Sequence, residues 1–86
     1  MDQLGKLPNI GKEALKQLNE VGITTFEQLK EIGSKEAWIR VLEIDSSACI
    51  NRLYGFEGAI RGVKKTMLPS DVKTELKSFY NEIKGK

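Results

Sequence analysis

The chain has 86 residues, 40% hydrophobic and 30% charged, a balance that fits one small globular domain with a modest core and excludes a disordered segment. It has no histidine and a single cysteine, which rules out an internal disulfide, a Cys-His nucleophile pair and a Cys/His metal centre. The net charge is +2, but residues 61–86 carry seven Lys/Arg against three acids while residues 1–60 carry seven against nine, so the C-terminal third is the basic part.

No apolar run approaches the roughly 18 residues of a membrane span. The start, MDQLGKLPNIG, has no basic stretch followed by an apolar one and so does not read as a signal peptide. One cysteine and no leader point to the reducing cytoplasm. Residues 1–6 are expected to form a short arm ahead of Leu7-Pro8, where the proline holds Leu7 extended.

Asn9-Ile10-Gly11 opens a first helix whose apolar residues Ala14, Leu15, Leu18 and Val21 recur at helical spacing. Gly22 stops it. Thr24-Thr25-Phe26-Glu27-Gln28 then offers two overlapping capping boxes, Thr24 with Glu27 and Thr25 with Gln28. Phe26, Leu29 and Ile32 form the inward stripe of the second helix, and Gly33 ends it. Helix, glycine turn and capped helix together suggest a helix-hairpin-helix-like unit. Free amides at a helix start, backed by the helix dipole, suit phosphate. The candidate nucleic-acid contacts are therefore Asn9 and the backbone around Ile10, Gly11 and Lys12, with Lys6 adding charge. The competing reading is structural, with Asn9 capping the helix and Gly11 easing its packing.

Ser34 is the expected N-cap of a third helix, with Ala37, Trp38, Val41 and Leu42 on one face and Ile44 near its end. Trp38 reads as core. Asp45-Ser46-Ser47 introduces a fourth helix, apolar nearly all round: Ile50, Leu53, Tyr54, Phe56, Ile60 and Val63. Such a helix is central. Gly55, Gly58, Ala59 and Gly62 put small residues along one side. Each helical glycine costs about 1 kcal/mol relative to alanine, so this face is expected to meet another helix, of the same chain in preference to a second subunit. Glu57 is expected to pair with Arg61 four residues on, and Cys49 to be a small buried residue. Lys64 and Lys65 follow this helix, either complementing its dipole or contacting phosphate. Pro69 opens a fifth helix with an inward stripe of Val72, Leu76, Phe79, Tyr80 and Ile83, and residues 84–86 are expected to fray.

With these pieces in order, the chain resembles the C-terminal domain of the TfoX (Sxy) family of bacterial competence regulators. The resemblance rests on LPNIG with Leu18 seven residues after its glycine, VGITTFEQLKEIG, Ala37-Trp38, LYGFEGAIRGV and LPSDVKTELKSFY. It implies an all-α, SAM-domain-like bundle of about five short helices over residues 1–86 and a link to transcription of genes for DNA uptake. Full-length family members carry a separate N-terminal domain, so the chain reads as a stand-alone version. Neither the residues nor the family pattern supplies a catalytic residue, metal site or cofactor. The expected function is a non-enzymatic domain that binds double-stranded DNA through phosphates. The alternative is a protein-interaction or self-association module using the glycine face, with a monomer favoured.

Overall fold

The computed structural model describes residues 4–85. A 3-10 turn, Leu4–Lys6, leads into five helices: α1 (Lys12–Glu20), α2 (Phe26–Ile32), α3 (Ser34–Ile44), α4 (Ile50–Arg61) and α5 (Ser70–Lys84), with a second 3-10 turn, Lys65–Met67, between α4 and α5. Among the described residues there is no strand. The expected all-α architecture of five helices is what the chain adopts.

Its centre is the pair α3 and α4. Helix α1 packs on α3, α2 packs on both α3 and α4, and α5 lies along α4. Trp38, Val41, Leu53 and Phe56 are fully buried at that junction, with Leu18, Ile23, Leu29 and Leu76 brought in from the surrounding elements. Removing each such side chain from water contributes about 1.5–3 kcal/mol. Trp38 carries a polar group into this core, and its indole Nε1 donates to the Cys49 carbonyl at 3.2 Å. Phe79 meets its ring edge-on at 6.1 Å and Tyr80 at a tilt at 5.5 Å, so α5 is fixed to α3 by aromatic contact as well as by area.

The helix boundaries follow local chemistry. Of the two possible capping boxes, Thr25 with Gln28 forms. The Thr25 hydroxyl accepts from the Gln28 amide at 3.1 Å, and Gln28 Oε1 accepts from the Thr25 amide at 3.2 Å. Gln28 also accepts from the Thr24 backbone, which leaves Glu27 without a part in the cap. Gly33 is at once the last residue past α2 and the N-cap of α3. Ser34 therefore lies inside α3 rather than capping it, and its buried hydroxyl reaches across to α4.

Other expectations need correction. Leu4 is fully buried, so residues 4–6 are not a loose arm; residues 1–3, the rest of that arm, lie outside the described residues. Cys49 is exposed at the N-cap of α4, because the buried stripe of that helix begins only at Leu53. Ile44 is 48% exposed at the end of α3. Pro69 sits at the N-cap of α5, one residue before the helix. At the other end α5 continues to Lys84, whose ammonium donates to the Ser46 carbonyl at 2.7 Å; Lys86 lies outside the described residues.

Candidate nucleic-acid interface

The loop between the first 3-10 turn and α1 reverses within a few residues. The Leu7 amide donates to the Leu4 carbonyl at 3.2 Å and the Ile10 amide to the Leu7 carbonyl at 3.3 Å. Between them Asn9 takes a left-handed backbone with φ 70°, the one non-glycine residue with positive φ among the described residues. Asparagine is among the few side chains that accept this conformation at modest cost.

The Asn9 side chain is fully used inside the fold. Its Nδ2 donates to the Val63 carbonyl at 3.0 Å and, at longer range, to the Gly55 carbonyl at 3.4 Å. Its Oδ1 accepts from the Lys65 amide at 3.0 Å. The Val63 carbonyl and the Lys65 amide fall where α4 has ended and the next 3-10 turn begins, so the hydrogen bonding of α4 does not satisfy them. One amide thus joins two loops more than fifty residues apart in sequence. Asn9 is a clamp whose polar atoms are already committed, and it does not cap α1; Gly11 occupies that N-cap.

The clamp also accounts for the glycines of α4. A Cβ at Gly58 would lie 2.5 Å from Asn9 Nδ2 and 2.7 Å from the Val63 carbonyl, and one at Gly55 would lie 3.4 Å from Asn9 Cβ. The small-residue face is therefore covered by loops of the same chain, not by another helix. Ala59 is buried in the core. Gly62 is not on that face at all: it terminates α4 in the left-handed conformation, φ 75°, and the Val63 amide turns back to the Gly58 carbonyl at 2.9 Å.

The sequence-derived contact residues sort into two groups. Ile10 is buried and its amide is engaged with Leu7, which removes it as an outward donor. Gly11 and Lys12 are exposed, and among the described residues no hydrogen bond reaches their amides. Lys6, Lys12 and Lys64 are exposed and Lys65 is half-buried. None of the four lysines is in an ion pair among the described residues, so their charge is not compensated locally. The clamp ties the loop that precedes Gly11 and Lys12 to the one that carries Lys64 and Lys65. The same bonds put Asn51 and Arg52, from the first turn of α4, beside Asn9 and Lys65 in a shallow pocket. Nothing in their sequence spacing from residue 9 marks these two residues.

Away from this face, Glu57 is held by two donors. The Ser34 hydroxyl donates to its Oε1 at 2.6 Å and Arg61 Nε to its Oε2 at 2.6 Å, so the expected Arg61 pairing is present and Ser34 adds to it. Burial raises the carboxyl pKa, but the Ser34 and Arg61 hydrogen bonds and the Arg61 charge outweigh it, and the net position is below the ordinary glutamate value. This is a half-buried structural link between α3 and α4. Among the described residues, no three Cys, Asp or Glu side chains come together as metal ligands. No helix of the described residues is long and apolar enough to cross a membrane.

Comparison with known proteins agrees with this architecture. The TfoX C-terminal domain family matches residues 1–80. Protein Sxy of Escherichia coli K12 is 31% identical over 85 residues, which cover 99% of this chain but 41% of Sxy. This chain thus spans under half the length of that curated relative. An uncharacterized protein from Listeria monocytogenes, in a triclinic crystal form, superposes with a TM-score of 0.94 at 45% identity, covering 95% of this chain and 93% of the other. A Listeria monocytogenes protein of unknown function, in a tetragonal form, gives 0.91 at 45% identity, covering 93% and 98%. With the family pattern running through nearly all of its helices, the chain belongs to the TfoX C-terminal domain family.

Proposed function

We propose that this domain has a regulatory role linked to competence, and that it acts in the cytoplasm by lying on double-stranded DNA through phosphate contacts rather than by catalysing a reaction. The regulatory half of this reading comes from membership of the family and from the similarity to Sxy. The DNA half is carried by one observation: the Asn9 clamp unites the loop that leads into Gly11 and Lys12 with the loop bearing Lys64 and Lys65. In this reading the helix-hairpin-helix-like element supplies the free amides of Gly11 and Lys12, and Lys6, Lys12, Lys64 and Lys65 supply charge. Such contacts position a protein on a duplex and read little sequence.

The test is fluorescence anisotropy of a labelled duplex of about 20 base pairs, titrated at several salt concentrations. Four lysine–phosphate contacts give a slope of log affinity on log salt of about −3 to −4. Lys12→Ala lowers the magnitude of that slope by about 1 and weakens binding equally for unrelated sequences. Absence of binding at low salt and high protein concentration refutes the reading.

A further inference from the structure

The pocket beside the clamp has a volume of about 170 Å³ and is lined by Asn9, Cys49, Asn51, Arg52, Gly55 and Lys65. Its composition is one-sided. Two cationic residues line it, both half-buried, and no acidic residue does. Neither Arg52 nor Lys65 is in an ion pair among the described residues.

Asp45 is an acid that feels the charge of Arg52. Both Asp45 oxygens have other donors: Gln17 Nε2 at 2.8 Å on Oδ2, and the Ser47 amide and hydroxyl on Oδ1. Asp45 is not among the pocket's lining residues. Two like charges half-removed from water in one concavity repel each other and lose hydration. An anion placed between them reverses both costs.

The chemistry selects the class of anion. Arginine presents a planar fork of donors that fits the oxygens of a phosphate, and a lysine adds a point charge. Asn51 supplies a neutral amide donor for a remaining oxygen. Gly55 adds no side chain to the lining, and the Asn9 amide, already spent on Val63 and Lys65, is held in place there. The pocket is roomy enough for a tetrahedral oxyanion.

We infer that this pocket is a seat for one phosphate group, with Arg52 and Lys65 as its charged walls and Asn51 as a neutral donor. The phosphate can come from a nucleic-acid backbone or be free in solution. The backbone case deepens the proposed DNA reading and rests on it; it adds Arg52 as a fifth cationic contact.

Two arms separate the sources. In the first, ¹⁵N-labelled protein is titrated with inorganic phosphate against chloride at matched ionic strength. Saturable shifts confined to the amides around Asn51, Arg52 and Lys65, present with phosphate and absent with chloride, are expected. Arg52→Gln abolishes them and Arg52→Lys retains them in part. In the second arm, the salt dependence of duplex binding is compared between the wild type and Arg52→Gln. The expected change is a slope reduced in magnitude by about 1, with the thermal midpoint checked for both proteins so that an unfolded variant is not scored. If the wild type binds no duplex but the phosphate shifts appear, the DNA reading fails and the seat stands as one for free phosphate. If the wild type binds duplex with the expected slope, while Arg52→Gln leaves it unchanged and phosphate behaves as chloride does, the seat is overturned and the DNA reading survives.

Discussion

Replacing Asn9 separates its two roles, the left-handed backbone and the clamp. Asn9→Ala loses both. Two good hydrogen bonds, to the Val63 carbonyl and from the Lys65 amide at 3.0 Å each, disappear together with the longer one to Gly55. The site is half-buried, so water compensates in part, and a net of about 1 kcal/mol for each of the two short bonds is reasonable. Alanine at φ 70° adds about 1 kcal/mol of backbone strain beyond asparagine. The sum is about 3 kcal/mol, a large share of the stability of a domain this size. It corresponds to a fall in thermal midpoint of roughly 12–24 °C. Asn9→Gly removes the clamp but accepts the backbone freely, so it costs about 2 kcal/mol. Urea denaturation of the three proteins, followed by Trp38 fluorescence and by far-UV circular dichroism, measures both differences. If Asn9→Gly is as stable as the wild type, the clamp contributes nothing. If alanine and glycine are equally destabilising, the left-handed backbone carries no strain.

Gly58→Ala removes a helix-weakening glycine yet is expected to destabilise by about 1–3 kcal/mol in thermal unfolding, because its methyl would displace Asn9 Nδ2 and crowd the Val63 carbonyl. The gain in helix propensity, about 1 kcal/mol, does not offset that, and a more stable variant would show that the contact yields easily. Glu57→Gln is expected to cost about 1 kcal/mol at pH 7, through weakened bonds to Ser34 and Arg61. Because the folded carboxyl titrates below its ordinary value, its contribution is present above the unfolded value of about 4.3 and is lost as pH falls through the lower folded value. Denaturation curves of wild type and variant should therefore converge under acid. A gap that stays constant with pH would refute the assignment to charge. Lys12→Ala and Arg52→Gln, tested by their salt slopes, complete the set.

The helical scaffold was readable because its information is local. Ala14, Leu18, Leu29, Ala37, Trp38, Val41, Leu53, Phe56 and Leu76 recur at a helical period, and all of them are buried. The Thr25–Gln28 cap needs only four consecutive residues. What escaped the sequence is what depends on distant partners. The glycines of α4 announced a close approach, but a pattern of small residues cannot tell a helix from a loop, and the partner was the side chain of Asn9. Ser34 has the composition of an N-cap. Gly33 is already at that position, and the hydroxyl is used 23 residues away on Glu57. Cys49 belongs to a residue type that is commonly buried, yet the first turn of α4 lies outside the core. The candidate interface was half legible: Lys6, Gly11, Lys12, Lys64 and Lys65 carry their own signal of charge or free amides. That the two loops are joined, and that Arg52 lies beside them, follows only from the fold.

The Asn9 clamp also bears on the order in which a growing chain can acquire its parts. Asn9 leaves the ribosome with its side chain unmatched, and its partners at positions 63 and 65 are made 54 and 56 residues later. At about 5–20 residues per second that is a wait of roughly 3–11 s. Helices α1 to α3 can form during this time, while the Asn9 side chain waits for its partners. The basic face is thus assembled after most of the scaffold, and a nascent chain lacks it until the turn after α4 has emerged.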